Sequence, residues 1–356
     1  MTILFETAAL RLGCESGPTL RTLAEGRHWR RAWLIADRHV GATLPWSDLA
    51  GLDIWQAPVV LPHCPIDSLL AATAAAPETL PDVVIGVGGG STLDAAKVLL
   101  AVSLVRMRPR DERGLRALAA SIGTPAEASR PALVLIPSTL ASAAFTPNAG
   151  VGLGGEKLIL RDARLRADLI MGDGILLRSS GAATLATGFG PLNHCIEAGG
   201  ADRQVATLSA RLLATAAEVL LAGLDRFSRA SADASGMLEL LGASWCASAG
   251  VQAARLGAGH AVPHVLGASL GLPHAALSAV MVLDRLRRDA DERADRVATI
   301  MRRLHLPSGL EGLGVDHSAF AALAPRLAAH PLFAADVASG VERSAIDCLS
   351  RIARGA

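Results

Sequence analysis

The chain has 356 residues, a formal net charge of +1, 51% hydrophobic residues and 19% charged residues. That length suits two domains, and the apolar share excludes disorder. Near-neutral charge excludes nucleic acid and acidic membrane surfaces as main partners, because both require a basic footprint. Cys14, Cys64, Cys195, Cys246 and Cys348 are odd in number and form no CxxC pair, which predicts a reduced, cytoplasmic chain without a disulfide frame or zinc knuckle. The segment MTILFETAALRLGCES lacks a basic region leading into an apolar one, so no signal peptide is expected.

Up to about Leu177 the pattern alternates. Short apolar runs at Ala32–Ala36, Val59–Leu61, Val83–Val87, Leu133–Ile136 and Leu169–Met171 predict strands. Pro65–Ala75 and Leu93–Val102 predict helices between them, and this alternation implies a parallel sheet covered by helices. The arginines at 106, 108, 110, 113 and 116 are interrupted by Asp111 and Glu112 and read as a solvated face. Beyond Leu177 strand signals almost vanish, and Ala- and Leu-rich periodicity predicts helices over Val205–Leu224, Ala234–Ala254, Ala290–Leu304, Ser318–Ala329 and Arg343–Ala353. The expected division is therefore 1–177, an α/β domain, and 178–356, an all-α domain. The uncharged stretch Gly257–Leu283 has the length of a membrane span, but His260, His264, His274, Pro263 and Pro273 fit a buried helix pair better than a lipid-facing one.

The sharpest motif runs Ile85-Gly86-Val87-Gly88-Gly89-Gly90-Ser91-Thr92-Leu93-Asp94-Ala95-Ala96-Lys97. An apolar strand enters three consecutive glycines and a helix follows at once. Glycine lets backbone N–H groups approach a ligand closely, and the helix N-terminus adds unsatisfied donors and a positive dipole end. Gly88, Gly89, Gly90 and Ser91 thus form a candidate pyrophosphate cradle, although the spacing matches neither GxGxxG nor the Walker loop. Ser138 and Thr139 follow a strand and face the crevice where open α/β sheets bind ligands. Asp37, at the end of an earlier strand, either accepts from an adenosine ribose, favouring NAD(H) over NADP(H), or caps a helix.

In the helical half, His260 and His264 stand four apart on one helix face, His274 follows ten residues later, and His194 lies in Pro191-Leu192-Asn193-His194-Cys195-Ile196-Glu197. Such a grouping suits two chemistries. Imidazoles hold a divalent metal that polarises a carbonyl, or they donate a proton to a developing alkoxide.

These segments resemble the iron-containing alcohol dehydrogenase superfamily, relatives of dehydroquinate synthase, across nearly the whole chain. The resemblance rests on GGGSTLDAAK at 88–97, PST at 137–139, NHCIEA at 193–198 and HAVPHVLGASLGLPH at 260–274. Within the superfamily, ASAAFTP at 141–147, LPHA at 272–275 and the tail from Val341 are similar to the maleylacetate reductase branch. Members of that branch reduce maleylacetate to 3-oxoadipate with NADH or NADPH. The resemblance implies a Rossmann-like dinucleotide-binding domain joined to a helical domain, with the active site in the cleft between them. It places Asp94 and Lys157 beside the cofactor, and His194, His260, His264 and His274 as catalytic residues. A homodimer and a small-molecule substrate are also implied.

The chain departs from the family in three places. The metal-dependent members carry an aspartate four residues before the histidine matching His194, and here that position is Gly190. The family's Gly-Ser-Glu, or similar, is Ser142-Ala143-Ala144. There is no tyrosine. Absence of the carboxylate favours a site without metal; if a metal binds, its ligands are His194, His260 and His274. The expectation is a metal-independent NAD(P)H-dependent reductase of a carbonyl or enone on a small, anionic substrate. A metal-dependent alcohol dehydrogenase and a non-redox lyase, cyclase or binder on the same scaffold are the alternatives.

Overall fold

The computed structural model describes residues 8–41, 49, 51–59, 64–123, 130–178, 181–199 and 207–355. Eight strands occur among them: β1 Ala9–Leu12, β2 Arg31–Ala36, β3 Asp53–Gln56, β4 Val83–Gly88, β5 Ala132–Pro137, β6 Asn148–Leu153, β7 Glu156–Arg161 and β8 Leu169–Gly172. Six form one parallel sheet in the order β1-β8-β5-β4-β2-β3, and β6 and β7 pair as a separate antiparallel hairpin. The central strands are buried on both faces. Along β2, Trp33 and Ile35 enter one core while Ala32, Leu34 and Ala36 enter another, as the two-residue pleat requires. Helices cover both faces, and the helix Gly90–Val105 is itself almost wholly buried.

No strand follows Gly172 among the described residues, and the remainder is helical. The fold is thus a parallel α/β sheet domain followed by a helical domain. The stretch with the length of a membrane span folds as two helices, Ala258–Leu270 and His274–Arg288, broken where Gly271 adopts φ +67° ahead of Pro273. Val262, Leu266, Val280 and Met281 from this pair build a core with Phe320, Phe333 and Leu349. The helix Thr207–Phe227 is long and apolar enough to cross a bilayer; its Leu213, Leu220 and Leu224 are buried, and it packs on the helix Ala234–Gly250.

Three details differ from the sequence expectations. The strand sought at Val59–Leu61 lies earlier, at Asp53–Gln56; Val59 is in no strand, and Val60 and Leu61 lie outside the described residues. Branched apolar residues there outweighed the pairing of Trp55 with Trp33, whose rings meet edge to face at 5.6 Å. Strand β1 is short, mostly exposed and at the sheet edge, so its pattern carries little apolar signal. The β6–β7 hairpin turns at Gly154-Gly155, both at positive φ, a Gly-Gly pair of the kind that marks a tight hairpin in sequence.

Candidate functional site

Parallel strands bring their C-terminal ends to one rim. There β4 ends at Gly88, with φ +147°, and the helix Gly90–Val105 begins after Gly89 with no side chain capping it. Its first N–H groups therefore remain available to an anion. A Cβ on Gly88 would fall 2.6 Å from Asp37 Oδ2, so this turn requires glycine. The Asp37 carboxylate accepts from Val40 N at 2.8 Å and from Gly89 N at 3.3 Å. It therefore sits against the turn and caps the short helix Arg38–Gly41. Ser138 is joined to the same rim by its N–H on Gly88 O, and Thr139 lies beside Gly89 with its hydroxyl buried and without a partner among the described residues. A glycine turn, uncapped amides, half-buried Ser91 and an orphaned hydroxyl fit the phosphates of a dinucleotide.

Asp94 and Lys97 lie on the helix after the turn. Burial raises the Asp94 carboxyl, opposed by the charges of Lys97 and Lys157 and by a bond from the Gly150 backbone. Lys97 is fully buried, and desolvation lowers it to about 8 against the favourable pull of Asp94. Its ammonium donates to Ala143 O, to Thr146 O at 2.8 Å and to Asn148 O at 2.8 Å. This grip holds the loop carrying Ser142, whose Oγ lies 3.4 Å from His194 Nδ1. The loop also touches the glycine turn, since a Cβ on Gly90 would meet Ala143 Cβ at 3.5 Å. Ser142-Ala143 thus bridges the phosphate rim and the imidazoles.

The histidines do converge. His194 Nε2 lies 3.2 Å from His260 Nδ1, and the His260–His264 ring centroids are 4.2 Å apart. His274 stands 5.7 Å from His264 and 6.4 Å from His260. A fifth ring joins them: His330, 5.9 Å from His264, with Nδ1 buried and unpartnered among the described residues. It precedes Pro331 in a distant helix, and only the tertiary fold brings it in. Desolvation lowers His194 to about 4 and holds His260 and His264 well below 6.5, where the neighbouring imidazoles and Lys157 add to the effect. All three are neutral at neutral pH. Lys157, exposed on β7, crosses Gly150 and bears on both Asp94 and the two histidines, so it lies between the two half-sites.

The donor set offers a metal imidazoles alone. No carboxylate stands at Gly190, where a Cβ would meet nothing within 4 Å. Among the described residues no three His, Cys, Asp or Glu side chains are grouped at metal-binding distances, and His194 Nε2 lies within hydrogen-bonding distance of His260 Nδ1.

Residues 9–174 match the family model of iron-containing alcohol dehydrogenase, and residues 184–323 match the C-terminal part of the same family. A probable alcohol dehydrogenase EutG of Escherichia coli (strain K12) is 32% identical over 259 residues, covering 70% of this chain and 62% of that protein. Maleylacetate reductase 2 of Cupriavidus pinatubonensis is 28% identical over 222 residues, covering 62% and 54%. The chain therefore matches less than two thirds of the length of these curated relatives. In fold it is similar to sulfoacetaldehyde reductase from Bifidobacterium kashiwanohense, solved with NAD+, at a TM-score of 0.81, 16% identity and 99% coverage of both chains.

Proposed function

The chain belongs to the iron-containing alcohol dehydrogenase family, and on that premise we propose that it is a metal-independent, nicotinamide-dependent reductase of a small anionic carbonyl compound. Residues 1–177 hold the cofactor and 178–356 the substrate. The observation that carries this reading is the chain of hydrogen-bonding groups Ser142–His194–His260 set beside an uncapped glycine turn.

Gly88, Gly89, Gly90 and Ser91 would hold a nicotinamide cofactor by its phosphates, and the chemistry such a group would supply is hydride transfer to the substrate carbon. The protein must then place a proton on the oxygen. With His194 donating through Nε2 to His260 Nδ1, the proton of His260 sits on Nε2, free to donate to a developing alkoxide. Ser142 Oγ–H faces His194 Nδ1 and completes the same polarity. A neutral imidazole is a weak acid alone. An anionic substrate favours imidazolium, and the positive charge of Lys157 beside His260 and His264 supports binding of that anion. Asp37 against the glycine turn opposes a 2′-phosphate and favours NADH.

The test is NADH consumption by purified protein against keto acids, aldehydes and enones, with and without chelator. Turnover of an anionic carbonyl compound that survives chelation supports the reading. Activity that vanishes with chelator and returns with Fe²⁺ or Zn²⁺ replaces it with the metal-dependent alcohol dehydrogenase. Failure to bind NADH at millimolar concentration removes redox chemistry altogether.

A further inference from the structure

The helix Ala258–Leu270 carries His260 in its first turn and His264 in its second, yet its N-cap, Gly257, has no side chain to satisfy the leading amides. Two carboxylates from elsewhere in the chain do so. Glu197 Oε1 accepts from Gly259 N at 2.7 Å, and Asp336 Oδ2 accepts from Ala258 N at 2.7 Å. Both are almost wholly buried, at 4% and 1% exposure, so these bonds are not exchanged for water. Asn193 Nδ2 adds a third tie, to Gly259 O at 2.6 Å.

The placement of the two acids matters as much as the bonds. Glu197 lies one turn after His194 on the helix Phe189–Ala198, and Asp336 lies on the helix Pro331–Ala338, which starts next to His330. Each carboxylate thus links an element bearing one imidazole to the N-terminus of the helix bearing two more. Anionic caps at a helix N-terminus are favourable twice, through the hydrogen bond and through the dipole. We infer that Glu197 and Asp336 are positioning residues: by clamping the first amides of Ala258–Leu270 they set His260 at hydrogen-bonding distance from His194. Gly259 is part of the clamp. A Cβ there would fall 2.9 Å from Glu197 Oε1 and 3.1 Å from Asn193 Oδ1, so only glycine admits the carboxylate to the amide. The inference rests on the reductase reading for its catalytic consequence and on geometry alone for its structural one.

The test uses full-length Glu197→Ala, Glu197→Gln, Asp336→Ala and Gly259→Ala, with two readouts. In turnover, Glu197→Ala and Gly259→Ala each lower kcat about 10- to 100-fold while NADH affinity stays within about twofold. Glu197→Gln, which keeps an acceptor oxygen, recovers most of the loss. The pair Glu197→Ala/Gly259→Ala is no worse than either alone, because both break one contact. In ¹⁵N-histidine NMR, the same variants move the His194 and His260 ring signals and leave His28 and His317 in place. Unchanged kcat and unchanged ring signals in Glu197→Ala and Asp336→Ala overturn the inference, as does a parallel loss of NADH affinity. If the wild type turns over nothing, the reductase reading fails, and the ring signals still decide the clamp.

Discussion

The two half-sites are built from different materials. At the phosphate rim the working groups are backbone amides, and the sequence need only supply glycines and a helix start. At the imidazole cluster they are side chains from four separate helices or helix starts, each of which must be held at an angle. The first is a local property of thirteen consecutive residues, from Ile85 to Lys97. The second is a property of tertiary packing. A backbone cradle therefore tolerates change in its neighbours and fails on a single Cβ, whereas the imidazole cluster is open to disturbance from caps and loops remote in sequence.

The largest expected effect tests the side-chain half. His260→Ala removes the proposed proton donor and is expected to lower kcat by roughly 100-fold or more, with NADH affinity by fluorescence titration unchanged. A parallel loss of both would erase the contrast between the halves. Next comes acid. Burial lowers His194 to about 4 from an ordinary 6.5. As pH falls below 6.5 the unfolded chain takes up this proton before the folded one does. Stability is thus fully present above about 6.5 and is lost towards 4, by about 3 kcal/mol for this group alone. Urea unfolding at pH 7 and at pH 4.5 measures it, and His194→Gln should flatten the dependence. Smaller is the backbone test. Gly88→Ala brings a Cβ against Asp37 Oδ2 at a φ that side chains avoid, and should weaken NADH about tenfold at unchanged kcat under saturation. The smallest effect is expected from Lys157→Met, a severalfold rise in KM for an anionic substrate, with little change for a neutral aldehyde.

The difference in materials also governs what the sequence reveals. The glycine turn, the strands β2, β4, β5 and β8, and the change to helices after Gly172 were legible because each depends on neighbours in the chain. His194, His260, His264 and His274 were legible by their grouping in apolar sequence. His330 was not, because 56 residues separate it from His274 and no local feature marks it. Glu197 stood in plain view within Asn193–Ala198, but capping a helix that starts 61 positions later, at Ala258, has no signature in spacing. Asp37 suits a ribose acceptor or a helix cap by its place after a strand; its bonds to Val40 N and Gly89 N are those of the cap.

Lys97 holds its loop by three carbonyl oxygens and by no side chain. A grip taken on the main chain does not depend on which side chains the strap carries at its exposed edge. Ser142 and Ala143, half-buried at the rim, can therefore differ from the family's residues while the strap keeps its course, whereas Ala144 and Phe145 are buried in the core and are fixed by packing. Change at the rim of the site is thereby separated from change in the core that carries it.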